Sequence, residues 1–249
     1  MEVPLVVLGG GSNVLAPDEP MEGLVLQLNR SCGELRVEGP AERGVVEVYV
    51  GAGVRSARLL RFSLENRLSG AEFLVGIPGT IGGAAIMNAG TPEGSLADIL
   101  LWVDALNERG GHERVLRRDL RPEYRCMGLP VHWTVVGVCL GLKRAVGGHG
   151  QRSKLREDMK RRKSSQPLEW PSAGSIYKNP QEAPAGYLIE KAGLKGFSVG
   201  GACISPKHAN WIVNLGGATS SDVRALMSHI EKRVLLEFGV CLQREILIL

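Results

Sequence analysis

At 249 residues, with 44% hydrophobic and 22% charged side chains, the chain has the composition of a folded globular protein, one large domain or two smaller ones. No apolar run approaches the roughly 20 residues of a membrane span, and 30 Lys and Arg against 26 Asp and Glu leave a net charge of +4, too small to argue for nucleic acid. Five scattered cysteines without a CxxC pair support neither a disulfide framework nor a zinc ribbon, and no secretory leader is visible, so a reduced, cytoplasmic, metal-free protein is expected.

Residues 5–8 and 24–28 read as short strands flanking the bare segment Gly9-Gly10-Gly11-Ser12-Asn13, and 45–50 as a further strand ending at Gly51-Ala52-Gly53. The spacing of Val54, Ala57, Leu60 and Leu64 predicts a helix over 54–66. A turn-rich stretch follows at 76–90, GIPGTIGGAAIMNAG, where glycine, alanine and threonine dominate. Side-chain mass is given up in this way where something large must lie against bare backbone. Residues 99–106 and 115–116 bracket a hairpin turn at Glu108-Arg109-Gly110-Gly111. Residues 133–142 form a continuous apolar strand, buried on both faces.

The composition then changes. Residues 146–150, VGGHG, read as a linker and place a domain boundary near 148. A basic helix follows, with Arg152, Lys154, Arg156, Lys160, Arg161, Arg162 and Lys163 opposed only by Glu157 and Asp158. It is either a solvated face or a local field drawing in a phosphorylated small substrate. Next come turn and strand at 172–180 and a short helix over 185–192 closed by Gly193. Thr219, with Asp222 three residues on, caps a helix presenting Val223, Leu226, Ile230, Val234 and Phe238 on one face and ending at Gly239. Residues 240–249 read as a terminal strand.

Alone, the triple glycine is a structural turn. Val14 stands where a GxGxxG fingerprint needs its third glycine, which disfavours a Rossmann site, and the chain has no Gly-Lys dipeptide, GxSxG or HExxH. Paired with 76–90, it points instead to one cofactor spread across two phosphate-cradling segments. PSAGSIYKNP, residues 171–180, sets Ser175 on a glycine turn, with Lys178 and Asn179 three and four residues later. In isolation this is a capped turn. As chemistry, a serine hydroxyl is an acid only toward a strong base such as a carbanion or enolate.

In chain order GGGSNVL, GIPGTIGGAAIMNAG, the pair Tyr124-Arg125, PSAGSIYKNP and AGYLIEKAGLKG closely resemble the UDP-N-acetylenolpyruvoylglucosamine reductases (MurB). The short interval from Arg125 to Ser175 resembles the compact type II variant, which lacks an inserted substrate-capping tyrosine loop. The resemblance implies an α+β fold. An FAD-binding domain of the vanillyl-alcohol-oxidase (PCMH) type, made of two subdomains, would occupy 1–147. An α+β substrate-binding domain would occupy 148–249, with Glu245 on its last strand. It also implies an enzyme of peptidoglycan synthesis that uses FAD, with NADPH as reductant. Hydride would pass from the reduced flavin to the terminal alkene carbon of the enolpyruvyl ether of UDP-N-acetylglucosamine, and Ser175 would protonate the resulting enolate.

By the same resemblance Arg125 would hold the substrate carboxylate and spread developing charge. Glu245, which without the resemblance reads as a surface strand residue, would donate a proton or orient the enolate. Gly9, Gly10, Gly11, Ser12, Asn13, Gly79, Thr80, Gly82, Gly83 and Ala84 would line the FAD pyrophosphate, with Asn88 near the flavin end. Tyr124, Arg161, Arg162, Lys178, Asn179 and Lys191 would serve the UDP-sugar. Small molecules alone, the UDP-sugar and NADPH, are the partners implied, with no nucleic acid, membrane insertion or obligate protein partner.

The chain departs from the family pattern in places. Members usually begin with a longer segment carrying a Thr-x-x-x-Gly-Gly stretch and a first β-α unit. This chain opens almost at the strand before GGGSN: either the start is misassigned, or the chain is truncated, or FAD binding is impaired, and a sheet missing its first unit would expose an aggregation-prone edge. Met127 stands where a serine is usual, and Gln243-Arg244 replaces a common Glu-Pro. Two rival readings stay open: a related flavoprotein oxidase turning over with oxygen, and a non-catalytic remnant that binds the UDP-sugar without flavin.

Overall fold

The computed structural model describes residues 3–29, 31–39, 44–145 and 148–249. Its helices are α1 (Ser56–Glu65), α2 (Ile81–Ile86), α3 (Leu96–Ile99), α4 (Gly148–Ser165), α5 (Ala185–Lys191) and α6 (Ser220–Phe238). The chain divides into two compact units, Met1–Gly11 with Gly23–Lys160, and Ser12–Glu22 with Arg161–Leu249. The division falls inside α4, not at 147/148, and residues 12–22 join the second unit because Val14–Leu15 pairs with Leu247–Ile248. Val146 and Gly147 of the expected linker lie outside the described residues, and Gly148 is already helical.

The first unit is built on a sheet with strands in the order His112–Leu116, Leu100–Leu106, Thr134–Arg144, Val45–Gly51 and Leu35–Val37, all neighbours antiparallel; Leu68–Ser69 joins the end of Thr134–Arg144. Alternation assigns the faces. Val46, Val48 and Val50 point into a core shared with Leu59, Leu74, Ile81, Ala85 and Met127. On the other face Arg36 lies over Tyr49, Tyr49 tilts against Trp102, and Arg114 stacks 3.7 Å over Trp102 while pairing with buried Asp104. Separately, Leu5–Leu8 and Leu24–Gln27 form a two-stranded parallel pair that leaves Leu5, Leu24, Val25 and Leu26 exposed.

Two expectations here need correction. The helix expected from residue 54 begins at Ser56, because Val54 and Arg55 are extended: the Val54 carbonyl accepts from Ile81 N–H, and Arg55 bridges Thr80. The stretch 76–90 is not all turn. It contains α2, whose Gly82 lets the helix close on the sheet: a Cβ there would come within 2.7 Å of the Ala52 Cβ.

The second unit carries a four-stranded antiparallel sheet ordered Ser172–Ser175, Trp211–Asn214, Ala202–Ile204, Ser198–Val199. α5 and α6 cover a core of Leu188, Ile189, Ile204, Ile212, Leu226, Met227, Ile230 and Val234. Phe238, expected on the buried face, is 39% exposed, because the last turn of α6 runs beyond that core. The strand expected over 240–249 reduces to Leu247–Ile248. Upstream, Val240 and Ile246 turn into the core while Arg244 reaches Glu231, so a single bridge, Tyr177 to Arg244, replaces a ladder.

The start of α6 is doubly capped. Thr219 and Asp222 form a capping box, and the Asp18 carboxylate accepts from the N–H groups of Ser220 (2.5 Å) and Ser221 (2.8 Å) and from the Ser221 hydroxyl. The Ser221 hydroxyl, then the two amides, hold the Asp18 carboxyl below its ordinary range. Folded Asp18 therefore binds a proton more weakly than unfolded Asp18. Its stabilisation is complete above the unfolded pKa and is lost as pH falls through the folded one. Asp18→Ala should lower the urea midpoint at neutral pH, with the gap narrowing in acid. A gap of constant size across that titration would mean that the charge plays no part.

Candidate active site

In the first unit the two glycine-rich segments meet. A Cβ on Gly10 would lie 2.7 Å from the Gly79 Cα, and one on Gly9 would collide with the Thr80 hydroxyl. Only bare backbone permits this approach. Gly79 adopts φ +104°, and Gln27 Nε2 donates to the Gly9 carbonyl at 3.1 Å, fixing the loop from its other side. Thr80 is 2% exposed and its Oγ1 has no hydrogen-bond partner. The same holds for Ser56 Oγ, whose N–H donates to the Gly79 carbonyl. An unpartnered buried hydroxyl costs about 1–3 kcal/mol, so two of them beside the glycine contact mark a place meant for a polar ligand. Ser56 was not read from the sequence; its signal was a hydroxyl in the first turn of a predicted helix.

Arg125 sits at the second central position of a tight turn closed by Glu123 N–H to Cys126 O and Cys126 N–H to Glu123 O. Its φ of +59° is one that a non-glycine residue seldom adopts. The guanidinium donates to the Gly90 carbonyl at 3.2 Å and lies 4.8 Å from the Tyr124 ring centre. Asn88, expected near the flavin, uses both ends of its carboxamide within the protein: Oδ1 accepts from Ala97 N–H and Nδ2 donates to the Glu123 carbonyl, each at 3.0 Å.

In the second unit Ser175 and Glu245 are brought together. Glu245 N–H donates to the Ile176 carbonyl at 2.7 Å, and Lys178 N–H to the Gln243 carbonyl, so Glu245 lies opposite the residue after Ser175. The Asn13 carboxamide donates to the Glu245 carbonyl at 3.0 Å, while the Asn13 carbonyl accepts from Leu247 N–H. From the other side Asn210, which the sequence reading missed, brackets the Tyr177 backbone, accepting from its N–H and donating to its carbonyl. A buried asparagine between Ala209 and Trp211 was the available signal. Tyr177 is 1% exposed and its hydroxyl donates to the Met227 carbonyl; burial pushes its pKa up and keeps that donor protonated. Burial likewise holds His208 below its ordinary pKa, so neutral His208 accepts the Asn210 N–H on Nδ1.

The remaining candidates are spread more widely. Asn179 Oδ1 accepts from Ala185 N–H at the start of α5. Lys191 is exposed, its ammonium 5.4 Å from the Tyr187 ring centre. Arg161 is exposed and Arg162 half-buried on α4. Arg125 belongs to the first unit and Ser175 and Glu245 to the second. Among the described residues no group of three or more His, Cys, Asp or Glu side chains is placed to hold a metal, and no helix is long and apolar enough to cross a membrane.

Residues 1–116 match a family model described as an FAD binding domain, and residues 166–249 one described as the C-terminal domain of UDP-N-acetylenolpyruvoylglucosamine reductase. A UDP-N-acetylenolpyruvoylglucosamine reductase of Syntrophobacter fumaroxidans is 51% identical over 247 residues, 99% of this chain and 71% of that protein. The chain belongs to the UDP-N-acetylenolpyruvoylglucosamine reductase (MurB) family. A Moorella thermoacetica member is 40% identical over 98% of this chain and 78% of its own length. The crystal structure of the Thermus caldophilus reductase matches with a TM-score of 0.85 at 36% identity, over 99% of this chain and 86% of that one. The chain is thus a flavin oxidoreductase, an FAD-binding domain followed by an α+β C-terminal domain.

The residues present fit FAD. A Cβ on Gly9 or Gly10 would collide with Thr80 or Gly79, so the two loops meet as bare backbone, and the Thr80 hydroxyl is a donor without a partner among the described residues. Thr80→Val should therefore act with opposite signs. It should stabilise the flavin-free chain by about 1 kcal/mol, by removing an orphaned hydroxyl, and weaken FAD binding about tenfold. Urea unfolding of apoprotein and a fluorescence titration with FAD read the two effects. Equal affinity for FAD would detach Thr80 from the flavin. Gly10→Ala, which drives a methyl into Gly79, should lose flavin while keeping its far-ultraviolet circular dichroism.

Proposed function

We propose that the chain reduces the enolpyruvyl ether of UDP-N-acetylglucosamine to UDP-N-acetylmuramate, with NADPH as reductant, in the cytoplasmic stage of peptidoglycan synthesis. The observation that carries the reading is the seat of Glu245 opposite Ile176, one residue from Ser175, on the domain that matches the reductase C-terminal family. Domain roles follow: the first unit, which carries most of the stretch matching the FAD binding domain, holds FAD, and the second, which carries the reductase C-terminal match, takes the substrate. When bound, the reduced flavin supplies a hydride to the terminal carbon of the enolpyruvyl group.

The residues of the chain do the rest. Arg125 takes the substrate carboxylate in its planar fork and spreads the negative charge that develops when the neighbouring carbon becomes an enolate. Ser175 gives its proton to that carbon. A serine hydroxyl is too weak an acid for ordinary bases, and the enolate carbon is one of the few acceptors strong enough. Glu245, its backbone fixed through Ile176 and Asn13, orients the enolate or returns a proton to the site. Lys178, Lys191, Arg161 and Arg162 serve the diphosphate and sugar, with Tyr124 beside Arg125.

The first test is the visible spectrum of the purified protein under anaerobic conditions. A flavin band that bleaches with NADPH and returns on adding the enolpyruvyl UDP-sugar supports the reading. Reoxidation by oxygen but not by the sugar would favour a flavoprotein oxidase, and a colourless protein that binds the UDP-sugar would favour a non-catalytic role.

Two variants separate the half-reactions. Ser175→Ala should leave bleaching by NADPH intact while slowing reoxidation by the sugar at least a hundredfold, the size of effect expected for a positioned proton donor. Equal loss in both halves would remove the serine from that role. Arg125→Lys should slow the sugar half-reaction too, because a point charge does not grip a carboxylate bidentately. Normal kinetics there would take Arg125 out of the site.

A further inference from the structure

We propose that Asn88 is a positioning residue for Arg125, acting through the Glu123 carbonyl and not through the flavin. The proposal rests on the reading of Arg125 as the carboxylate clamp. Three observations lead to it.

The turn that carries Arg125 is not self-sufficient. Tyr124 and Arg125 occupy its two central positions, and Arg125 takes φ +59° at the second, where glycine or asparagine is the residue that fits without strain. Left to itself, a turn with arginine there relaxes toward a type with negative φ, and the guanidinium swings with it. Something outside the turn must over-determine it.

Three hydrogen bonds to the turn and its arginine come from one short segment, residues 86–90. Met127 N–H donates to the Ile86 carbonyl, Asn88 Nδ2 donates to the Glu123 carbonyl, and the Arg125 guanidinium donates to the Gly90 carbonyl. Of the three, the Asn88 bond falls on the first residue of the turn. The same Glu123 carbonyl also accepts the closing bond from Cys126 N–H, so Asn88 holds the acceptor on which the turn depends.

Asn88 is itself fixed for the task. Its φ is +41°, which asparagine tolerates better than other side-chain-bearing residues. Its Oδ1 accepts from Ala97 N–H in the first turn of α3. The carboxamide plane is thereby set, and Nδ2 is aimed without freedom to rotate.

Asn88→Asp keeps the size, the φ tolerance and the acceptor for Ala97 N–H, and replaces the donor to Glu123 by a carboxylate oxygen, which adds one negative charge; Asn88→Gly adds none, so the two together separate the lost donor from the added charge. Asn88→Gly keeps the φ and removes the carboxamide, and serves if the aspartate variant folds poorly. Both are assayed as holoenzyme, for FAD affinity by fluorescence, for anaerobic bleaching by NADPH, and for reoxidation by the enolpyruvyl UDP-sugar over a range of concentrations.

Any change in FAD affinity or in bleaching should be smaller than the change in the sugar half-reaction. Reoxidation should slow by ten- to a hundredfold, the loss expected when a catalytic group is displaced by about 1 Å. In a cycle with Arg125→Lys, the Asn88→Asp change should cost nothing further, because both act through one guanidinium. A primary loss of flavin, a normal sugar half-reaction, or defects that multiply independently in the double variant would each overturn the proposal. If Arg125→Lys proves harmless, the reading of Arg125 falls and takes this proposal with it. If Arg125→Lys is damaging and Asn88→Asp is not, this proposal alone falls.

Discussion

Much of the first unit depends on the bare contact between Gly10 and Gly79. The two backbones approach so closely that Gly10 admits no Cβ, while Gly79 takes φ +104° just before Thr80, the N-cap of α2. α2 in turn delivers residues 86–90, whose hydrogen bonds carry the turn holding Arg125. One continuous run, residues 79–90, therefore both meets the Gly9–Gly10 loop and supports the turn that holds Arg125. A side chain forced into the glycine contact is felt at Arg125 through backbone bonds, with no flexible link between.

The second unit reaches the same precision by a different route. Ser175 lies at the end of a short edge strand, a place with little packing to hold it. Its neighbour Tyr177 is gripped from one side by the Asn210 carboxamide and bridged on the other to Arg244, which Glu231 binds through both oxygens. Buried polar groups joined in this way are costly to break and admit one register, so they specify the strand where apolar contact alone would let it slide. The Gln243-Arg244 pair thereby acquires a structural reason in this chain: the arginine is the anchor of the segment that ends in Glu245.

Patterns that repeat along the chain were readable in the sequence, and directions of polar side chains were not. The hairpin between Leu100–Leu106 and His112–Leu116, the capping box at Thr219, and the left-handed glycines 193 and 239 after α5 and α6 all follow from local rules. α2 was hidden because its glycines read as turn, whereas close packing on Ala52 is what requires them. Asn13, Asn88 and Asn179 lie in motifs read as ligand sites, and the fold adds that each carboxamide also bonds to backbone of its own unit. An asparagine beside a phosphate and an asparagine bracing a turn look alike until the fold gives the amide its direction.

Backbone strain gives a way to tell such roles apart. Arg67, Asn88 and Arg125 are the non-glycine residues with positive φ among the described residues. Arg67 follows the cap of α1 and donates to the Leu64 carbonyl, the usual way for a helix to end in a left-handed residue. Its strain is explained by the helix alone. Arg125 ends no helix and sits between two residues that bridge each other, so its conformation must be imposed by neighbours. Strain that local structure does not explain persists only where the surroundings over-determine it. At Arg125 those surroundings include Ile86, Asn88 and Gly90, which bond to the turn on both sides of the strained residue and to its guanidinium.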